Sequence, residues 1–262
     1  MDFKTLNVAI AGTVATITLD RPDLRNAFNE EAIAELAVAF DGLGRSDTVR
    51  AIVLAANGPA FCAGADLNWM KKMAGYSADE NQQDAMRLAD MLRTIYLCPK
   101  PTVARVQGDC YAGGMGLVAA CDIAVASDNA GFCLSEVKLG LIPATISPYV
   151  IKAMGEQHAR RYFLTAERFD AVEAQRIGFV HEVVAPDALD ATVAGIVKSL
   201  VGNSPHAVQQ AKKLVREIAG QPVGDALLLD TAGRIADIRA SSEGREGVAS
   251  FLDKRKPSWL LS

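Results

Sequence analysis

A repeated order of strand and helix signals constrains the fold more than any other feature of the chain. The segment VATITLD (14–20) alternates β-branched with smaller residues, and an Arg-Pro-Asp sequence ends it. Apolar residues then recur at helical spacing, and a second strand-like run, VRAIVLAA, covers 49–56. Ser77 and Glu80 form a capping box for another helix, after which PTVARVQG (101–108) is strand-like again. This order predicts α/β crossover connections rather than an all-α or all-β domain.

The last part of the chain has a different pattern. Strand signals end near residue 185, and Ser204 with Pro205 is typical of an N-cap followed by the first helical position. Helical patterns fill the remainder, and no Gly/Ser-rich linker separates them from what comes before. The sequence therefore predicts a core over 1–200 and a helical region over 201–262, which would dock on the core or on another subunit.

Composition and charge exclude several classes of protein. With 262 residues, half of them apolar, the chain can bury a large core. A formal net charge of −4 argues against nucleic acid as the main partner, because phosphate binding needs a basic surface. The sequence contains no signal-peptide pattern and no apolar run long enough to span a membrane. We therefore expect a cytoplasmic protein that is not associated with a membrane.

The cysteines and histidines indicate neither disulfides nor a metal site. The five cysteines are odd in number and lack paired CxxC spacing, which predicts reduced, packed thiols. The three histidines are scattered along the chain, a pattern more typical of surface or packing histidines than of metal ligands. We therefore expect no metal site.

Three glycines close together, Gly113, Gly114 and Gly116, join a strand-like stretch to an apolar helix. Backbone N–H groups at such a helix start suit an anion or a developing negative oxygen. A second candidate loop, GPAFCAGADL (58–67), also has small residues after a buried strand. Either loop alone is more typical of a tight turn with close packing. Together they favour the two donors of an oxyanion hole.

One carboxylate follows the glycine loop, and other catalytic motifs are missing from the sequence. Neither loop continues as a P-loop, a dinucleotide-binding GxGxxG or a GxSxG nucleophile elbow. Glu136 lies in GFCLSEVKLGLIP (131–143), where apolar neighbours would raise its carboxyl pKa toward the range useful for proton transfer. The alternative is a surface or salt-bridged glutamate, which is the commoner fate of a single acid beside a strand.

These motifs, taken in order, resemble those of the enoyl-CoA hydratase/isomerase, or crotonase, superfamily over essentially the whole chain. The resemblance implies an α/β fold, a crotonase-like spiral core of repeated ββα units with a C-terminal helical oligomerisation region, and homotrimers or dimers of trimers. The segments that carry it are LDRPDLRNAF (19–28), FCAGADL (61–67), YAGGMGLVAACDIAVAS (111–127), FCLSEVKLGLIP (132–143) and FLDKRKPSW (251–259).

The resemblance also implies roles for particular residues. A thioester carbonyl would lie between the N–H groups of Ala65 and Gly113. The glycines have no side chain that would block its approach to the backbone. Glu136 matches a catalytic glutamate of the family. Coenzyme A would enter as part of the substrate, with no other cofactor. The positions that match CoA-thioester contacts are Arg25, Ala27, Ala63, Asp66, Leu67, Gly114, Phe251 and Lys254. Phe251 and Lys254 would reach CoA from one helical face of a neighbouring subunit.

Two departures from the superfamily pattern bear on the reaction. Well-known hydratases carry two catalytic glutamates, and the first of them falls on Gly116; after Pro143 the chain has ATISPYV where many members have glycines. With LNWM after Asp66 and with CLSEVKLGL, these features are most similar to the hydratases of branched glutaconyl thioesters, such as 3-methylglutaconyl-CoA in leucine degradation or its isoprenoid analogues.

The expected activity is therefore addition of water across the α,β double bond of a 2-enoyl-CoA. Two alternatives stay open: a Δ3,Δ2-enoyl-CoA isomerase, which needs only one glutamate, and a non-catalytic RNA-binding relative. If the substrate ends in a carboxylate, a cation should meet it, and the candidates near the motifs are Lys71, Lys72 and Lys138.

Overall fold

The structure is a computed structural model that describes residues 3–260. Its strands are β1 Leu6–Ala11, β2 Val14–Leu19, β3 Ala51–Ala56, β4 Ala60–Cys62, β5 Thr102–Val106, β6 Asp109–Tyr111, β7 Ile123–Ser127, β8 Gly131–Cys133, β9 Phe169–Asp170 and β10 Glu182–Val184. Its α-helices are α1 Glu30–Arg45, α2 Leu67–Met73, α3 Ala78–Leu97, α4 Gly113–Ala120, α5 Ser147–Thr165, α6 Ala171–Arg176, α7 Leu189–Gly202, α8 Pro205–Ile218, α9 Asp225–Ala240 and α10 Ser242–Leu252.

The strands form two sheets that advance together along the chain. One sheet has the order β1-β2-β3-β5-β7-β10 and the other β4-β6-β8-β9. In the pairs β3–β4, β5–β6 and β7–β8, the first strand joins the six-stranded sheet and the second joins the four-stranded sheet, and helices follow each pair. Each of these three ββα units therefore adds one strand to each of the two sheets, which confirms the predicted α/β spiral core.

The core explains why the strand and helix signals could be read from the sequence. All six residues of β3 are buried, because β3 lies between two parallel neighbours, β2 and β5, inside the sheet. Helix α1 buries Ile33, Leu36, Phe40 and Leu43, which recur at helical spacing. Helix α3 begins at the predicted capping box, in which the Ser77 and Glu80 side chains each accept a backbone N–H of the other residue.

Helices α8 to α10 form the predicted C-terminal helical region. Ser204 caps α8 by accepting the Ala207 N–H at 3.1 Å. The buried Lys212 side chain of α8 joins it to the core through an ion pair with Asp122 at 2.6 Å. Much of the apolar surface of this region faces outward: Leu229 of α9 is 77% exposed and Phe251 of α10 is 81% exposed.

The cysteines follow the prediction. All five are free thiols, and all except Cys121 are buried. Within residues 3–260, His, Cys, Asp and Glu side chains nowhere gather in a group of three or more that could hold a metal ion. Among the helices of the same range, none combines the length and the apolar character that a membrane crossing requires.

Candidate active site

Three loops meet at one edge of the four-stranded sheet. Strands β4, β6 and β8 run parallel and side by side, so their carboxyl ends lie at the same edge. Ala65 follows β4, Gly113 follows β6 and Glu136 follows β8, each within three residues of the strand end. Ligands of α/β sheets commonly bind at this edge. The topology therefore places the three predicted catalytic residues on neighbouring loops.

Two of these loops offer backbone N–H groups. Within residues 3–260, neither the Ala65 N–H nor the Gly113 N–H donates a hydrogen bond to a protein acceptor. The loops are in contact, because a Cβ on Gly64 would lie 3.1 Å from the Ala112 Cβ. Ala112 enters α4 with φ 48° and ψ −120°, and its own N–H donates to the Cys133 carbonyl at 2.8 Å. This geometry can supply two donors to an oxyanion.

The glycines of α4 are packed against the protein's own side chains. A Cβ on Gly113 would lie 2.3 Å from Cζ of Phe28, and one on Gly114 would lie 2.8 Å from the Cβ of Cys62. A methyl group cannot be accommodated at such distances unless its neighbours move. Close packing, the alternative raised from the sequence, is thus sufficient to require glycine at both positions, and the free N–H of Gly113 is an additional property.

The third glycine connects the two departures from the superfamily pattern. A Cβ on Gly116 would lie 2.3 Å from Cγ2 of Ile146, a residue that is 2% exposed and comes from the ATISPYV segment. Cδ2 of Leu92 lies 3.5 Å from the same point. The space in which a side chain at 116 would begin is therefore filled by an apolar residue, and a carboxylate does not fit there.

Glu136 is half-buried and its side chain is incompletely paired. It begins a short 3₁₀-helix, Glu136–Leu139, and its Oε2 atom is buried with no hydrogen-bond partner in the described part of the chain. Burial raises the pKa of Glu136 above its ordinary value of 4.5, in the direction that the sequence predicted. The expected cause was only partly right, since Leu139 and Leu141 are exposed.

Asp66 has its carboxylate engaged within the protein. Oδ2 accepts a hydrogen bond from Arg21 at 2.7 Å, and Oδ1 accepts the N–H groups of Asn68 and Trp69, which caps α2. Burial acts to raise the pKa of Asp66, but the bonds from Arg21 and the first turn of α2 lower it below its ordinary value. Sequence reasoning missed Arg21, although it lies in the LDRPDLRNAF motif.

The other predicted CoA contacts near Ala65 form one group. Arg25 is exposed in a left-handed conformation, with φ 49°, and its carbonyl accepts the Ala63 N–H at 3.0 Å. Ala27 is buried, and Leu67 is exposed at the start of α2. The fold thus brings these four residues beside the candidate oxyanion loops.

Phe251 and Lys254 lie elsewhere, in the C-terminal helical region. Helix α10 packs on α8 and α9, and the exposed Phe251 is one residue before its end at Leu252. Lys254 is beyond the helix, in a left-handed conformation with φ 52°. The expectation that both lie on one helical face is therefore wrong, because the chain turns after Leu252. Their contact with CoA stays a prediction.

Comparison with known proteins gives the family. The sequence profile described as enoyl-CoA hydratase/isomerase matches residues 9–260. The chain belongs to this family. A crystal structure of an enoyl-CoA hydratase from Shewanella pealeana is 44% identical, covers 98% of this chain and 96% of that one, and superimposes with a TM-score of 0.95.

Related sequences agree with this assignment. An enoyl-CoA hydratase of Alternaria alternata is 35% identical, with 94% of this chain and 80% of that protein covered. A mevalonyl-coenzyme A hydratase of Aspergillus fumigatus is 32% identical, with 95% and 92% covered. The expected class, an enzyme of the enoyl-CoA hydratase type with the crotonase fold, is confirmed.

Proposed function

We propose that this family member adds water across the C2–C3 double bond of a 2-enoyl-CoA. The observation that carries the proposal is the buried, unpaired Oε2 of Glu136 on the loop next to two free N–H donors, those of Ala65 and Gly113. The thioester carbonyl would accept both N–H groups. Such donors are each worth about 2.7–4 kcal/mol when the oxygen becomes negative in the transition state.

Glu136 would then move the proton. Water attacks C3 while Glu136 takes one of its protons, and the electron pair of the double bond moves onto the thioester oxygen. The resulting enolate is protonated at C2 by Glu136, so that one water molecule is added and the carboxylate is regenerated. A raised pKa suits both halves of this cycle, because the same group must accept and return a proton.

A single carboxylate must carry out both transfers in this proposal. The packing of Ile146 against Gly116 leaves no room for a second glutamate at the position where the sequence comparison would place it. The attack of water and the protonation at C2 both depend on proton transfer and on the oxyanion hole. Coenzyme A enters the site as part of the substrate.

The acyl group is proposed to be branched, as in 3-methylglutaconyl-CoA. Support comes from the LNWM and CLSEVKLGL segments and from the mevalonyl-coenzyme A hydratase among the relatives, since a mevalonyl group carries a methyl branch at C3. Of the candidate cations for a distal carboxylate, Lys72 is paired with Glu30, while Lys71 and Lys138 are exposed. Equal turnover of 3-methylglutaconyl-CoA and 3-methylcrotonyl-CoA would contradict recognition of that carboxylate.

Isomerisation of a 3-enoyl-CoA is the second candidate, favoured by the glycine at 116. It would use Glu136 to move a proton from C2 to C4 through the same enolate. Incubation of crotonyl-CoA and of a 3-enoyl-CoA in separate reactions distinguishes the two. Formation of 3-hydroxyacyl-CoA from crotonyl-CoA supports hydration, whereas conversion of the 3-enoyl substrate alone supports isomerisation.

Homotrimers or dimers of trimers are proposed as the working assembly, with Phe251 and Lys254 reaching a neighbour's CoA. The exposed apolar surface of α9 and α10 supports this, because such surface is usually covered by a partner. Phe251→Ser should lower both the assembled mass in sedimentation and the affinity for acyl-CoA. Leu164→Ser, at an equally exposed leucine of α5, is the control. Unchanged mass and affinity in Phe251→Ser would contradict the proposal.

The central test is Glu136→Gln, which preserves the size of the side chain but cannot exchange a proton. We expect kcat for hydration to fall by about 10²–10⁴ while acyl-CoA still binds, since the N–H donors belong to the backbone. Glu182→Gln, at an exposed glutamate of β10, should leave kcat unchanged. Near-normal turnover in Glu136→Gln would refute the assigned base, and Asp109, now paired with Arg168 at 2.9 Å, would be tested next.

A further inference from the structure

The guanidinium group of Arg21 connects two segments that meet beside the Ala65 N–H. Nη1 donates to the Ala27 carbonyl at 2.5 Å, and Nη2 donates to the Asp66 carboxylate at 2.7 Å. Only 18% of the Arg21 side chain and 6% of the Asp66 side chain are exposed. A charged pair so little hydrated and bonded in two directions holds its geometry more firmly than a surface pair does.

The two segments also pair through their backbones. The Phe28 N–H donates to the Gly64 carbonyl at 2.9 Å, and the Asp66 N–H donates to the Phe28 carbonyl at 3.0 Å, so that Phe28 and Ala65 form an isolated parallel bridge. Arg21 therefore binds the residue before Phe28 and the residue after Ala65. Both peptide groups that flank Ala65 are held, while its own N–H stays free.

The same bridge relates the first N–H donor to the second. The ring of Phe28 occupies the space next to Gly113, with Cζ 2.3 Å from the point where a Cβ on Gly113 would be. A shift of the segment that contains Phe28 would thus have two effects at once. It would move the ring away from Gly113, and it would alter the direction of the Ala65 N–H.

We infer that Arg21 and Asp66 are positioning residues of the oxyanion hole, which fix the direction of the Ala65 N–H and its separation from the Gly113 N–H. This inference rests on the proposed function. Neither side chain needs to touch the substrate. Their effect is on the stabilisation of the enolate oxygen, so it should appear in kcat and in polarisation of the carbonyl rather than in affinity for CoA.

The experiment compares two arginine–aspartate pairs that share an N–O distance of 2.7 Å and a buried aspartate, although the arginine of the control pair is half-exposed. Arg21→Lys keeps the charge but cannot bridge two acceptors as a planar guanidinium does, and Asp66→Asn keeps the shape and the helix cap. The control pair is Arg87 with Asp84, also 2.7 Å apart, in which 5% of the Asp84 side chain is exposed. Arg87→Lys and Asp84→Asn make the corresponding changes on α3.

Two readouts are measured with full-length protein. The first is steady-state hydration of crotonyl-CoA, for which kcat should fall about tenfold to a hundredfold in Arg21→Lys and Asp66→Asn, with KM changed less than about threefold. The second is the red shift of the ultraviolet absorption band of bound hexadienoyl-CoA, which reports polarisation of the carbonyl. That shift should decrease in both variants and stay at the wild-type value in the control pair.

The outcomes separate the inference from the proposed function. If both Arg21→Lys and Asp66→Asn bind hexadienoyl-CoA with the full red shift, or if their kcat falls no more than that of the controls, the inference is wrong and the ion pair is structural only. A wild-type protein that shows the red shift but hydrates neither crotonyl-CoA nor 3-methylglutaconyl-CoA refutes the proposed function, while the red shifts of the variants still decide the role of Arg21. Should Arg21→Lys fail to fold, Asp66→Asn decides alone.

Discussion

The two loops that offer N–H donors are held by different kinds of interaction. The Ala65 loop is held by polar contacts: Arg21 bridges to Asp66, and the buried Asn26 side chain donates to two backbone carbonyls nearby. Helix α4, which begins at Gly113, has no side-chain cap, and its glycines are fixed by contact with apolar or sulfur-containing side chains.

The difference determines how each loop should respond to substitution. Hydrogen bonds and ion pairs weaken gradually with distance, so a conservative change in the Ala65 loop should reduce function by degrees. Repulsion between packed atoms rises steeply, and interiors have few voids that absorb an extra methyl group. One added carbon in α4 should therefore have an abrupt effect. The four predictions that follow test this contrast, beginning with the largest effect.

Gly113→Ala is expected to have the largest effect. Its Cβ would meet the Phe28 ring at 2.3 Å, so the helix start must move and its N–H donor moves with it. Loss of one such donor lowers kcat by about 10²–10³. Steady-state hydration kinetics measure this loss. The double variant Gly113→Ala/Phe28→Leu, which replaces the ring by a smaller side chain, should recover part of the rate; no recovery would show that the clash is not the cause.

Asn26→Asp should have the next largest effect. It removes hydrogen bonds that hold the Ala65 loop, so it should lower the stability of the protein. The Asn26 Nδ2 group donates to the Asn57 and Ala60 carbonyls at 2.7 and 2.9 Å, and a carboxylate oxygen would face those carbonyls without a proton. We expect a loss of about 1–3 kcal/mol in the free energy of unfolding for each group left unpaired. Chemical denaturation measures it.

The matched control for this variant is Asn81→Asp. The exposed Asn81 side chain also donates to two backbone carbonyls, those of Tyr76 and Ser77. Water can replace both hydrogen bonds there, so Asn81→Asp should lower the free energy of unfolding by less than about 0.5 kcal/mol. If the two variants lost the same free energy of unfolding, burial would not be what makes the hydrogen bonds of Asn26 important for the Ala65 loop.

The contact of Gly116 with Ile146 predicts a smaller coupling that a double-mutant cycle can isolate. Gly116→Ala should cost about 1–3 kcal/mol through overpacking, and Ile146→Ala about 2–5 kcal/mol through the cavity that it leaves. The double variant should be more stable than the sum of the two losses predicts, by roughly 0.5–3 kcal/mol. Thermal and denaturant unfolding of the four proteins give this coupling. Strict additivity would contradict a direct contact.

The smallest expected effect is on stability, which should depend on pH in opposite ways through the carboxylates of Glu136 and Asp66. Burial raises the pKa of Glu136, so its charge costs stability above that pKa, and Glu136→Gln should raise Tm at pH 8 but not below about pH 4.5. Because the pKa of Asp66 is lowered, the carboxylate contributes stability above its ordinary value of 3.8. That contribution is lost as the pH falls through the lower pKa of the folded state.

Asp66→Asn should therefore lower Tm at neutral pH, and its difference from wild type should shrink in acid. Calorimetric scans of the two variants and the wild type between pH 3 and pH 8 measure both dependences. A rise in Tm for Asp66→Asn at pH 7, or a fall for Glu136→Gln, would show that the assigned causes of the pKa shifts are wrong.

The sequence predicted the local elements well, because their causes are local. The alternation in β2, the helical spacing in α1, the capping box of α3 and the N-cap of α8 each depend on residues within a few positions of one another. The resemblance supplied the arrangement of ββα units, which no single segment specifies. Phe251 and Lys254 were expected on one helical face, but α10 stops at Leu252 and Lys254 lies beyond it.

The site could be predicted only in outline. Ala65, Gly113 and Glu136 were predicted because each belongs to a motif that the family resemblance covers, and their position at one sheet edge follows once parallel strands are paired. The prediction of apolar surroundings for Glu136 was only half right. Whether a flanking leucine is buried depends on how the chain turns after the 3₁₀-helix. Sequence spacing carries no information on that turn.

What the sequence determined by itself is the strongly patterned local elements, such as β2, β3, α1 and α3, the small residues of the two loops, and the single carboxylate of Glu136 that follows them. Only the tertiary structure decided what those small residues face. The contacts of Gly113 with Phe28, of Gly116 with Ile146, and of Arg21 with Asp66 join positions 30 to 85 residues apart in the chain. Such contacts arise when the sheets bring distant loops to one edge, and no local pattern encodes them.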